Sequence, residues 1–484
     1  MCTVLSAIAC ALPSLAAHAR DELAPLLDAA RKGNHAAALE LVRHGADVRA
    51  MEPDGTTALH WAANFGDAEL ARALLAAGAD PTAANRYGMT PLQAAAVNAD
   101  APLLETLLGA GADPNAVLPE GETVLMTAAR TGSPEALTML LAHGANVEAR
   151  ERFYGESALI WASVENHADA IRVLVEHGAD VDGRSALMQF EKRRAGQSIL
   201  PLGSWTPLMY AARQNALAAG EALVAAHAGM DATDPDGATA LVIAIINAHY
   251  EFAELLLHAG ADANVVDNEA GMGPLYAAID MHRLAVGHGR GNPTPVGLLT
   301  SVDIARALLE QGADANARLK KPIMQRQHTF GDGALGAGAT PLMRAAKSGD
   351  VEMLRVLLAA GADPKLTLPN GTTALMFAAG LGWRNGSPLA PSYDQGSDEE
   401  AVETIRQLLE LGLDVNAASD TGDTALHAAV SGRKSEAIVR FLLDRGADPR
   451  KANSKQQTPL ALAESPRGSP ALAALVREAA GAAE

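Results

Sequence analysis

Cysteine is nearly absent: the 484 residues contain two, Cys2 and Cys10, both within the first ten positions. A chain starting after them has no disulfide, no thiolate metal ligand and no cysteine nucleophile. Aromatic residues are scarce at 4%, which excludes one large mixed core. Positive charge is short as well, with Lys+Arg 38 against Asp+Glu 57 and a net charge of -19. That balance excludes nucleic acid or anionic membrane as the main partner, because both require a basic surface. No later stretch approaches the roughly 18–20 continuous apolar residues of a membrane span. G-x-S-x-G, H-E-x-x-H and phosphate-loop motifs are missing too, and with them the commonest hydrolase, zinc-protease and nucleotide signatures.

The first nineteen residues lack lysine, arginine, aspartate and glutamate. An apolar run from Val4 to Leu15 leads to Ala17-His18-Ala19, a small-x-small cleavage pattern. This predicts a signal peptide over 1–19, without a basic n-region, and a periplasmic or secreted product beginning at Arg20.

What the chain does have is small apolar residues in a repeat. Hydrophobic content of 49% excludes disorder. The stretch GTTALHWAANFGDAELARALLAAGADP (55–81) reappears along the chain with a Thr-x-Leu landmark at Thr57, Thr90, Thr123, Ser157, Thr206, Thr239, Gly273, Thr340, Thr373, Thr424 and Thr458. In each unit the threonine caps a first helix, often with proline next, as in Thr90-Pro91. A second amphipathic helix ends at the glycine of Gly-Ala-Asp, suited to a left-handed cap. Asp54-Gly55, Asp236-Gly237 and Asn370-Gly371 then form hairpin turns. One unit cannot bury its apolar face alone, so the units stack. A degenerate unit precedes the first full one, giving twelve.

Thr57-Ala58-Leu59-His60-Trp61-Ala62 and Thr424-Ala425-Leu426-His427-Ala428-Ala429 resemble the T-P-L-H-x-A signature of the ankyrin repeat family. The resemblance covers residues 20–479 and implies an all-α solenoid of about twelve helix-turn-helix units joined by β-hairpin loops, followed by a tail at 480–484. Met126, Ile160, Met209 and Met376 replace the signature histidine, which implies weaker hydrogen bonding at those turns. Gly331, Gly333 and Gly336 fit a dinucleotide-loop spacing, but they precede Thr340-Pro341-Leu342 and follow no strand, so they read as a turn.

Four insertions interrupt the register. Two lie at hairpins, about 183–203 and 318–339, and each adds 16 residues and carries a charge of +3: four of Arg184, Lys192, Arg193, Arg194 less Glu191, and four of Arg318, Lys320, Lys321, Arg326 less Asp332. Two lie between the helices of a unit, about 282–301 and 383–400, and they sit two units apart. That spacing would let them form one lobe.

The predicted function is a non-enzymatic scaffold that binds a partner protein through the concave face and the hairpin tips. The basic hairpin insertions would favour a partner with an acidic surface. Candidate contacts are Phe65, Tyr87, Tyr154 and Trp205, which the resemblance puts on the recognition surface, with Lys192, Arg193, Arg194, Lys320, Lys321 and Arg326 on the fingers. Trp383 and Tyr393 complete the set. Trp61, Trp161, Tyr210 and Phe377, two positions after the leucine, are expected to pack between units. No cofactor or metal is expected: His282 and His288 lack a helical ligand spacing, and Ile243 stands where a calcium loop starting at Asp231 needs glutamate. The expected state is a monomer. The alternative is a small-molecule or hydrolytic site in the lobe around His282, His288, Trp383 and Tyr393.

Overall fold

The computed structural model describes residues 24–188, 202–283, 293–322, 334–382 and 396–482. The chain divides into two compact units between Arg152 and Phe153.

The first unit holds four helix pairs: α1 (Pro25–Arg31) and α2 (His35–Arg43), α3 (Ala58–Asn64) and α4 (Ala68–Ala76), α5 (Pro91–Val97) and α6 (Ala101–Gly109), α7 (Val124–Thr131) and α8 (Pro134–Ala142). The second opens with α9 (Ala158–Val164) and α10 (Ala168–Glu176). A strand pair follows, β1 (Leu187–Met188) and β2 (Leu202–Gly203). Next come α11 (Pro207–Gln214) and α12 (Leu217–Ala225), α13 (Ala240–Ile246) and α14 (Tyr250–His258), α15 (Pro274–His282) and α16 (Ser301–Glu310). The last four pairs are α17 (Pro341–Lys347) and α18 (Val351–Ala359), α19 (Ala374–Ala378) and α20 (Asp398–Glu410), α21 (Ala425–Ala428) and α22 (Glu436–Asp444), α23 (Pro459–Ala463) and α24 (Pro470–Ala482). Within each unit first helices pack on first helices and second on second, as α3 on α5 and α4 on α6. Strand is nearly absent among the described residues: besides β1 and β2 there are four isolated bridges.

The capping threonines act as their spacing predicts. Thr57, Thr123 and Thr340 have extended backbone and accept the amide three residues on. Gly273 keeps the extended backbone but has no side chain to offer. His60 adds a bond between repeats. Its Nδ1 accepts from the Thr57 amide at 3.1 Å, so Nε2 carries the proton and donates to the Met89 carbonyl at 2.9 Å. Burial lowers the pKa of His60 and of His427, which bonds Gln457 in the same way, and so keeps both rings neutral. Gln93 reaches Glu122 from the same position, whereas an apolar Ile160 has nothing to donate.

Each connection closes on itself and on its neighbour. Asn85 N–H donates to Met89 at 3.0 Å, and Arg86 N–H donates back to Asp54 at 2.7 Å. A second stitch, which the repeat pattern does not announce, is an asparagine four residues after the Gly-Ala-Asp glycine. Asn316 donates to the Gly361 carbonyl and accepts from the Asp363 amide, and Asn264 and Asn416 do the same in their own repeats. In the first unit Asn115 does this with Gly144 and Asn146.

The core is leucine and alanine. Gly220 in α12 is part of it, because a Cβ there would lie 2.7 Å from the Phe252 ring. One repeat has an extra residue between its two caps, Thr424 and Ser435, compared with Thr57 and Asp67. A π turn over Ala429–Arg433 absorbs it and brings Arg433 to a buried position.

Candidate binding surfaces

In the first unit, Phe65 ends α3 with 53% of its surface exposed and stacks on Trp61 with centroids 6.1 Å apart. Trp61 is half-buried and donates from Nε1 to Glu52 at 3.0 Å. A groove of about 340 Å³ runs beside Phe65, floored by Ala30, Ala62 and Leu70 and edged by His35 and Asp67. The His35–Asp67 hydrogen bond raises the histidine pKa. Tyr87 is exposed at a connection tip, with the Arg86 guanidinium 4.8 Å over its ring.

The second unit carries a larger aromatic group. Trp161 on α9 donates to Glu156 at 3.1 Å. Burial, and then the nearby Glu156 charge, raise the Tyr210 pKa. Tyr210 meets Trp205 edge-on at 5.6 Å, and Arg213 lies 5.4 Å over the Trp205 ring. Trp205 Nε1 donates to Asp234 at 3.2 Å. Phe153 and Tyr154, just before Glu156 in the chain, are both exposed.

Trp61, Trp161 and Tyr210, expected between repeats, are half-buried, and Tyr210 lies beside Glu156 of the preceding repeat, while Phe377 in the same slot is fully buried. A helix spaces this slot so that its side chain rises beside the core instead of into it. Whether it is buried depends on what lies above.

Asp234 and Asp236 lie in the connection next to Trp205. Burial, followed by the charges of Asp234 and Asp267, raises Asp236 to about 6. A carboxyl raised above its ordinary value opposes folding once ionised. The penalty is therefore absent below about pH 4 and complete above about pH 6. Asp236→Asn, which keeps a residue suited to the turn before Gly237, should stabilise the protein by about 1 kcal/mol near neutral pH after allowance for solvent screening. Urea denaturation across pH checks this; a gain that persists at the acidic end would contradict the assignment.

The two hairpin insertions share one base. Ser185 N–H donates to Trp205 and Leu319 N–H to Ala339, each at 3.0 Å; Ala186 N–H reaches Tyr154 and Lys320 N–H reaches Ala270. Arg184 donates to the Thr233 carbonyl and Arg318 to that of Thr367. Both arginines are thus bound to backbone of the following repeat. Lys321 pairs with Glu269, and the stem of Lys320 lies against Gly271. Lys192, Arg193, Arg194 and Arg326 lie outside the described residues, as do Trp383, Tyr393, His288 and the glycines Gly331 and Gly333. Gly336 is described: its carbonyl accepts the Ala339 amide at 3.0 Å, a turn ahead of α17.

The ends of the two inter-helix insertions do meet. Arg283 Nη2 is 2.5 Å from Glu400 Oε1, a link between repeats two apart. Asp398, Glu399 and Glu400 are not loop residues. They form the first turn of α20, capped by Ser397, where the helix dipole favours negative charge. Around them Arg344 donates from Nε to Asp280 at 2.7 Å and also bonds Ser348. His282 Nδ1 lies 2.6 Å from Asp350, and Arg433 Nε donates to Asp398 at 2.7 Å. Burial opposes ionisation of Asp398, but hydrogen bonds from Ser435 and Arg433 outweigh it and lower the pKa. Lys347 lies 5.8 Å over the Phe377 ring.

Helix pairs stacked first on first and second on second within each unit define a helical repeat protein. The family model described as ankyrin repeats (3 copies) matches residues 26–117, 93–185, 187–267, 298–385 and 396–482. The chain belongs to the ankyrin repeat family. It is similar to the E3 ubiquitin-protein ligase KEG of Arabidopsis thaliana, 26% identical over 239 residues, which are 44% of this chain and 13% of that protein. The chain thus spans a small part of this relative's length. Among solved structures it is similar to the human ASB11 ankyrin repeat domain, with 27% identity, coverage of 49% of this chain and 97% of that one, and a TM-score of 0.41. Ankyrin repeats are generally protein-interaction modules, so the comparisons agree with a binding scaffold. The finger bases and aromatic groups are details of this chain.

Proposed function

We propose that the chain is a non-enzymatic, exported scaffold that holds a partner protein on the first-helix face of its repeats. One observation supports this most: Trp161, Tyr210 and Trp205 stay only half-buried around Glu156, and Phe153 and Tyr154 in the preceding connection are exposed, although burial would be the cheaper use of such side chains. The charged groups around them, Glu156 and Arg213, are already engaged and hold the rings in place. Export to the periplasm rests on the residue pattern of 1–19, and the monomeric state on a net charge of -19.

The fingers add a charge-steered encounter with an acidic surface. Arg184, Arg318 and Lys321 are held by the base, so steering falls to the residues beyond it. Variants lacking 189–201 or 323–333 keep the base bonds intact and should associate about 10-fold more slowly at low ionic strength, with little change at high salt. Surface plasmon resonance against the partner captured from periplasmic extract measures this. Unchanged association in both variants removes the fingers from recognition.

A further inference from the structure

The seventh position after the cap is half-buried or exposed at Asn64, Arg130, Val164, Arg213, Ile246 and Asp280. At Val97 it is 51% exposed; at Lys347 the same position is 8% exposed. Every residue from Ala339 to Asp350 is buried. The fourth position is half-buried at Trp161 and Tyr210 but 1% exposed at Arg344, as it is also buried at Thr127, Ile243 and Ala277. The first-helix face is closed over α17 and more open over α9 and α11.

The described ends of the inter-helix insertions lie against this helix pair. Gly396 crosses so near α17 that a Cβ would lie 2.5 Å from the Ser348 carbonyl, and its positive φ of 67° also suits glycine. Arg283 from the repeat before α17 meets Glu400 from the repeat after it. In a repeat array each unit normally contacts only its neighbours, so stability spreads by nearest-neighbour steps. This ion pair skips one unit.

We infer that the Arg283–Glu400 pair is a clasp that closes the first-helix face over α17 and makes α15, α17 and α19 open together as one block. The inference rests on the scaffold reading only in its consequence, which is that a partner docks on the more open helices α9 and α11. The clasp itself is independent of any partner. It outlasts moderate salt because both side chains are partly shielded, at 22% and 35% exposure. The neighbouring Arg344–Asp280 and His282–Asp350 pairs join the same α17 repeat to the one before it.

Amine acetylation and hydrogen exchange, both read by mass spectrometry on the full chain without partner, test this. Lys347 should react at least about 10-fold more slowly than Lys32, whose side chain is 64% exposed. Arg283→Met with Glu400→Gln, which preserves the Ser397 cap, should raise Lys347 labelling and α17 amide exchange by roughly 10-fold, with α9 and α11 within twofold of wild type. Rapid Lys347 labelling in the wild type overturns the closed face. An unchanged rate in the variant overturns the clasp, and so does an equal rise at α9. Glu400→Gln alone gives the same reading if the double variant folds poorly. A partner that instead protects α17 would contradict the docking consequence and leave the clasp standing.

Discussion

Replacing Arg344 by alanine is expected to lower stability by about 3–5 kcal/mol, the range for removing one member of a buried ion pair. The Arg344 side chain is 2% exposed and that of its Asp280 partner 14%. Truncation leaves the carboxylate with its charge but without its cation, and also opens a cavity between α15 and α17. Ser348 loses a donor at the same time. The double change Arg344→Met with Asp280→Asn removes the charge along with its partner and fills most of the space. It should cost less than about 2 kcal/mol. Urea unfolding followed by circular dichroism distinguishes the two. A loss below about 1 kcal/mol for the alanine variant would mean that water reaches the site and the pair is a surface one.

The second large effect is on binding. Trp161→Ala combined with Phe153→Ala should weaken partner affinity by roughly 30- to 1,000-fold, or about 2–4 kcal/mol, as expected for aromatic anchors. Trp161 is half-buried and Phe153 is 65% exposed, so neither is a core pillar. Trp205 is a poorer test because its indole bonds Asp234 and packs on Tyr210, and its loss would disturb the connection. Titration calorimetry with the captured partner, beside a melting curve for each variant, separates contact from stability. Affinity within threefold of wild type would move the docking face away from α9. Phe65→Ala is the matching probe for the first unit, where the ring stacks on Trp61 above an apolar groove.

The threonine caps are legible in the amino-acid sequence because capping is local: Thr57 acts on the amide three residues away, and no tertiary contact is needed. The insertions are legible too, since a change in repeat length is a property of the chain. Even the kinship of the two fingers is visible in equal lengths, and Arg184 and Arg318 occupy matching positions at the base. The asparagine stitch is present as Gly-x-Asp-x-Asn in the letters. Its role is not, because its partner, such as Gly361 for Asn316, belongs to the next repeat.

The fate of the aromatic slot shows where local reasoning stops. Trp161 and Phe377 follow the same motif at the same distance, yet one is half-exposed and the other buried. Helical periodicity alone determined the pairs, their caps, their stacking order and the positions of the added segments, because each follows from backbone geometry and the burial of a repeated apolar stripe. Only tertiary structure decided which parts of the first-helix face stay open. That depends on Arg283 meeting Glu400 across an intervening repeat, and pairing between side chains so distant in sequence leaves no period to read.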